Sequence, residues 1–147
     1  MYKNNAMNII NILKHFIIYG CFGLFIETIW TGIGSALKKD KNLTCNTYLW
    51  MFPIYGAGGV LFEPVHEFLR VYLWAYRGFV WAALIFLIEY ITGYILKSTL
   101  GKCPWDYDRE GEVIASVNGI IRIDYLPVWF CVGLIYERLH DFVKLIL

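Results

Sequence analysis

The chain has 147 residues, of which 59% are hydrophobic, 18% aromatic and 17% charged, and its formal net charge is +1. A soluble domain of this length is nearer half apolar and a quarter charged, so the composition argues against an ordinary water-soluble fold. With no net charge to speak of and basic residues scattered rather than clustered, there is no footing for a nucleic-acid partner.

The apolar excess is gathered into blocks long enough to cross a bilayer core of roughly 30 Å, which takes about 20 helical residues. The expected fold is all-α: an integral membrane four-helix bundle in a single multi-pass domain, 1–147, partnered by the lipid bilayer. A homo-oligomer or a larger membrane complex is compatible with this, and the sequence does not say which membrane.

The first apolar block, about Ile9 to Leu37, is too long for a signal h-region and has no clear small-residue cleavage site, so it reads as a retained span over 12–37. It ends at the polar stop Lys38-Lys39-Asp40-Lys41. The second span, 47–69, runs through Pro53-Ile-Tyr-Gly-Ala-Gly-Gly59 and is expected to be the least regular. Pro53 lies near its start, and Pro64 removes a backbone donor deep inside, so neighbouring helices or water must satisfy the freed groups.

The third span, 78–97, is opened by Arg77-Gly78 and closed by Lys97. A polar stretch from Ser98 to Arg122 follows. In it Asn118-Gly119 lies between two β-prone runs, Val113–Val117 and Ile120–Ile123, which predicts a short ordered loop or hairpin over the bundle; a re-entrant segment is the alternative. Asp106, Asp108, Glu110 and Glu112 with Arg109 read as a solvated face, and Trp105-Asp106-Tyr107 as a loop motif at a mouth. The fourth span, 126–145, has Pro127 in its first turn. Trp50, Trp74, Trp81, Trp105 and Trp129 fall near span ends, as in an interfacial aromatic belt.

Four spans put six Lys and Arg on one side (Lys3, Lys14, Arg70, Arg77, Arg138, Lys144) and seven on the other (Lys38, Lys39, Lys41, Lys97, Lys102, Arg109, Arg122). That difference does not set an orientation. The sequon Asn42-Leu-Thr44 leans towards an outer or lumenal first loop. Cys45 and Cys103 fall on that same side, where an oxidising compartment would allow a disulfide. Cys21 and Cys131 read as small core residues.

Each apolar block carries one glutamate with a glycine four residues away: Glu27 with Gly23, Glu63 with Gly59, Glu89 with Gly93, and Glu137 with Gly133. A carboxylate at membrane depth costs at least a few kcal/mol and normally faces protein or water. Glu27, Glu63, Glu89 and Glu137 are therefore read as an intramembrane acidic core, with Arg77 and Arg138 as counter-charges. Tyr19-Gly-Cys-Phe-Gly-Leu-Phe-Ile-Glu27 also aligns with Tyr55-Gly-Ala-Gly-Gly-Val-Leu-Phe-Glu63, an inverted repeat in consecutive antiparallel spans, which is a transporter habit.

Three activities compete for this core. One is proton or cation transport by the carboxylates. Another is structural: glycine lets helices approach and each glutamate bonds across the contact. The last is a di-iron carboxylate enzyme acting on lipids, because Glu63-Pro-Val-His66 and Glu137-Arg-Leu-His140 are both Glu-x-x-His and Glu27 and Glu89 complete the ligand order. That reading would need two iron ions on Glu27, Glu63, His66, Glu89, Glu137 and His140; otherwise no cofactor is expected. No phosphate-binding Gly-x-x-x-x-Gly-Lys-[Ser/Thr] occurs, so the chain is not its own ATPase. No nucleophile elbow or zinc-protease motif occurs either, so no catalytic residue is assigned.

Glu89-Tyr-Ile-Thr-Gly93, Cys103-Pro-Trp-Asp-Tyr107, Asn118-Gly119 and Pro127-Val-Trp-Phe-Cys131 closely resemble the transmembrane protein 229 family. That family is related to bacterial membrane proteins labelled ABC-transporter permeases of the CmpB type. Phe52-Pro-Ile-Tyr-Gly-Ala-Gly58 is similar to the bacterial Pro-Ile-Tyr-Gly signature. The resemblance covers about Phe16 to Glu137. It implies a multi-pass membrane protein of unassigned, permease-like activity and supplies no catalytic residues. The four glutamates fit its pattern; the two histidines are not part of it.

Overall fold

The computed structural model describes residues 9–107 and 115–147. Four helices carry the fold: α1 (Ile9–Leu37), α2 (Met51–Leu69), α3 (Trp74–Leu100) and α4 (Leu126–Ile146). A two-stranded hairpin, β1 (Ser116–Val117) and β2 (Ile121–Arg122), and a 3-10 turn at Ile123–Tyr125 lie between α3 and α4. These are the four helices and the ordered loop that the hydropathy blocks and the Asn-Gly pair predict. Asp108, Arg109, Glu110, Glu112, Val113 and Ile114 lie outside the described residues, as does Lys3.

Two of the helices, α1 with 29 residues and α3 with 27, are long and apolar enough to cross a membrane. At 1.5 Å per residue each exceeds the roughly 30 Å bilayer core. Phe25, Ile29 and Ile33 form an exposed stripe along α1, and Leu87, Ile91 and Ile95 one along α3. Apolar stripes of this kind suit a lipid environment far better than water.

The structure corrects several expectations. α2 is one continuous helix through Pro64, so the proline removes a donor without breaking the element. Trp81 is not interfacial: it is 0% exposed and lies in the core, because its indole N–H finds a buried acceptor. Trp50 and Trp74 are exposed. All four cysteines are free thiols. Cys45 is exposed, whereas Cys103 is buried and its thiol is pushed up by that burial. Cys21 and Cys131, expected in the core, are exposed on their helices.

The chain divides into two compact units, residues up to Val65 with Leu147, and His66–Ile146, so the break falls late in α2. In the first unit, α1 and α2 pack antiparallel through their glycines. A Cβ at Gly20 would fall 2.8 Å from the Phe52 ring, and one at Gly56 2.8 Å from the Phe16 ring. Likewise, Gly23 leaves room for Tyr55 and Gly59 for Tyr19, at 2.4 Å in both cases. These four contacts exchange with one another under the 36-residue offset of the repeat, so the sequence repeat is a local two-fold in space. The link after α1 folds back on its last turns: Asn46 N–H donates to Thr31 Oγ1 at 3.1 Å and the Ser35 hydroxyl to the Thr44 carbonyl at 2.5 Å.

In the second unit, α4 returns along α3 with Gly133 against Trp81 and Gly78 against Phe130. The hairpin turns on Asn118 (φ 55°) and Gly119 (φ 69°) and closes from Ile120 N–H to the Val117 carbonyl at 3.0 Å. Two positive φ values in succession are what an Asn-Gly hairpin turn requires. The hairpin caps α3: buried Ile120 fills the space over Gly93, the Asn118 amide donates to the Tyr90 hydroxyl at 3.0 Å, and Lys97 Nζ donates to the Asn118 carbonyl at 3.0 Å.

Candidate functional site: four carboxylates on two helix pairs

Within each unit the glutamates are held apart, at opposite ends of a helix pair. Glu63 on α2 meets the start of α1: His15 Nδ1 lies 2.5 Å from Oε1, and the Tyr19 hydroxyl donates to the same oxygen at 2.9 Å. His15 and Glu63 are both buried. Glu27 on α1 meets the start of α2, where Thr47 donates to Oε2 at 2.8 Å and Tyr55 at 3.2 Å. Tyr19 and Glu27 are eight residues apart on one helix, which places the two carboxylate sites about 12 Å apart along α1.

The second unit repeats the plan with a different donor. Glu137 on α4 accepts from the Trp81 indole at 2.8 Å and pairs with Arg77 at 3.0 Å. Glu89 on α3 accepts from the Tyr107 hydroxyl of the cap at 3.0 Å. Trp105 anchors that segment by donating to the Ile120 carbonyl at 3.1 Å, and the Tyr107 amide donates to the Gly119 carbonyl at 2.9 Å. Arg122 stacks over Tyr125, 4.5 Å from the ring centre, and pairs with Asp124 at 2.7 Å. That pairing holds the exposed Asp124 carboxyl below the usual range and raises the Arg122 guanidinium. The Glu-Tyr-x-Thr-Gly, Cys-Pro-Trp-Asp-Tyr and Asn-Gly motifs thus meet in a single structure, the cap on α3.

A spacing rule in the sequence links these sites, and the structure gives it a meaning. A tyrosine or tryptophan precedes each glutamate by eight residues: Tyr19 and Glu27, Tyr55 and Glu63, Trp81 and Glu89, Trp129 and Glu137. Three of these aromatics donate to the glutamate of the neighbouring helix. The fourth departs from the rule. Trp129 Nε1 is buried with no partner among the described residues, and Tyr107 donates to Glu89 where the rule would place Trp129.

His66 and His140 lie at the end of the second unit that also holds Glu137. Their rings meet edge to face at 5.0 Å. His66 Nε2 is 3.3 Å from Asp141 Oδ1, and its Nδ1 lies 3.8 Å from Glu137 Oε1. His140 Nε2 is 3.4 Å from Glu67, which also receives Lys144 Nζ at 2.6 Å. Arg70 pairs with both Glu67 and Asp141. Arg138 is exposed on α4, and it is Arg77 that faces Glu137.

For the proposed iron ligands, Glu27, Glu63 and Glu89 each take hydroxyl or imidazole partners outside that set. Among the described residues no three His, Cys, Asp or Glu side chains gather as a metal site. Residue-type spacing missed His15, Trp81, Glu67 and Asp141. The aromatic eight residues before each glutamate was the signal that could have found Trp81.

Residues 14–146 match the family model described as "Putative ABC-transporter type IV", of the CmpB type. The chain belongs to that CmpB-type family. The match spans all four glutamates and all three histidines. No solved structure matches the chain. The relation to CmpB-type proteins read from Pro-Ile-Tyr-Gly is therefore shown, and the likeness to the transmembrane protein 229 family is carried by its motifs alone. In this CmpB-type chain Glu27, Glu63 and Glu137 accept bonds from a neighbouring helix and Glu89 accepts one from the cap, and any chemistry they perform starts from those bonds.

Proposed function

We propose that the chain crosses the membrane four times and acts in transport, with the buried carboxylates handling protons or cations. α2 and α4, of 19 and 21 residues, are about 28 and 31 Å long, enough to reach across the bilayer core. Their lower apolarity comes from acids that have partners, which is how charged groups survive at depth.

The observation that carries the reading is the His15–Glu63 pair, both groups buried and 2.5 Å apart between helices of apolar composition. An acid held against an imidazole is a natural place to take up and release a proton, and intramembrane pairs of this kind mark ion pathways. The family description as an ABC-transporter type supports the same class. The chain lacks a nucleotide-binding motif of its own, so any ATP-driven role needs a separate ATPase subunit.

The test is proton flux in liposomes loaded with a pH-sensitive dye, driven by a potassium diffusion potential. Wild-type protein should acidify the lumen faster than empty liposomes, and Glu63→Gln should remove at least about ten-fold of that rate. Equal rates in protein-containing and empty liposomes would contradict proton transport.

The bonds from Tyr19, Tyr55 and Trp81 to partner glutamates favour a second, structural reading. On that account Glu→Gln lowers stability or assembly and no variant alters flux.

A further inference from the structure

His66 stands between a buried carboxylate and a half-exposed one. On α4, Glu137 and Asp141 are four residues apart and so share a face. The His66 ring, itself 3% exposed, enters from α2 and points one nitrogen at each: Nε2 at 3.3 Å from Asp141 and Nδ1 at 3.8 Å from Glu137. Nδ1 is buried and has no hydrogen-bond partner among the described residues. The 3.8 Å gap is about 0.6 Å beyond an N–H···O bond, too short to hold an intervening water and closable by a side-chain shift.

We propose that Asp141, His66 and Glu137 form a proton relay that carries protons from the exposed end of α4 to the buried Glu137 carboxylate. This rests on the proton-handling reading above and identifies the entry path. A proton on Asp141 passes to His66 Nε2, and the ring gives the proton on Nδ1 to Glu137. No net charge is left on the imidazole, which resets by tautomer exchange once Glu137 has released its proton.

The charged and titratable groups around the ring are Glu67 on α2, Arg70 just after it, Arg77 on α3, and Glu137, His140, Asp141 and Lys144 on α4. Arg70 pairs with Asp141, and Arg77 with Glu137. Arriving at Glu137, the proton cancels the charge that holds Arg77. Arg77 also reaches the carbonyls of Arg70 and Tyr72, both at 3.4 Å, in the link between α2 and α3.

The test follows Glu137 directly. After a rapid pH drop on full-length protein in liposomes, the carboxyl stretch of Glu137 is read by difference infrared spectroscopy and assigned by its loss in Glu137→Gln. The relay predicts that His66→Gln slows the rise of this band by about ten-fold or more without removing it. Asp141→Asn, at a half-exposed position, should slow it as well. An unchanged rate in either folded variant overturns the relay, as does a Glu137 that never protonates while the fold survives. The result does not depend on flux: wild-type liposomes with no proton flux would retire the transport reading, and the infrared rates would still decide the relay.

Discussion

A carboxylate that loses its counter-charge inside a protein is left with the full cost of its desolvation, about 3–5 kcal/mol for a buried ion pair broken on one side. Glu137 is in that position with respect to Arg77. We expect Arg77→Met to destabilise by an amount in that range, and Arg77→Met with Glu137→Gln to cost less than Arg77→Met alone. Denaturation of the single and double variants in detergent measures this; additive losses would contradict the pairing. Which residue would meet which glutamate was not legible in the sequence. Glu27, Glu63, Glu89 and Glu137 stand out as acids in apolar blocks, but His15 is one of three histidines, and only the packing of α1 on α2 brings it to Glu63.

At the α1–α2 link a smaller case gives a clean sign. Asp40 accepts from the Asn42 amide at 2.9 Å and the Thr44 amide at 3.2 Å. Its carboxyl is held below the usual range, chiefly by the Thr44 side chain and then by those amides. The unfolded chain binds its proton more readily, so the ordering this group gives the link is complete above the ordinary aspartate value of about 3.9. It is lost as pH falls through the lower folded value. The amide resonances of Asn42 and Thr44 should titrate with a midpoint under the ordinary value, and a midpoint at or above it would contradict the contact.

At the scale of elements, the four helices were legible because apolar blocks of this length have few alternatives. The hairpin was legible because Asn118-Gly119 is a turn with a mechanism. α2 runs through Pro64 to Leu69 because a missing donor does not by itself end a helix whose neighbouring turns are intact. Trp81 misled because position near a span end says nothing about which way an indole points.

The repeat from Tyr19 to Glu27 and from Tyr55 to Glu63 proved to be a two-fold in space, and it makes a paired prediction. Gly23→Ala and Gly59→Ala meet tyrosine rings at the same 2.4 Å. Each should therefore destabilise by a similar amount, about 1–3 kcal/mol for overpacking. Thermal melts of the two variants check this; one neutral and one costly substitution would break the symmetry. Gly119→Ala, at φ 69°, should cost about 1 kcal/mol or more and loosen the cap over Gly93. Loss of the Tyr107–Glu89 contact, read from tyrosine exposure, is the local sign of that change.

For the whole molecule, family membership and the two long apolar helices establish the class, while the crossing of α2 and α4 carries the functional account. The measurement that tests this most directly is thiol accessibility from each side of a sealed membrane. In a background lacking Cys21, Cys103 and Cys131, native Cys45 reports the link after α1, and Val71→Cys in a background also lacking Cys45 reports the link after α2. If α2 crosses, a membrane-impermeant maleimide labels the two positions from opposite sides. Labelling of both from the same side would mean that α2 does not span the membrane, and the account of paired carboxylates at membrane depth would fall with it.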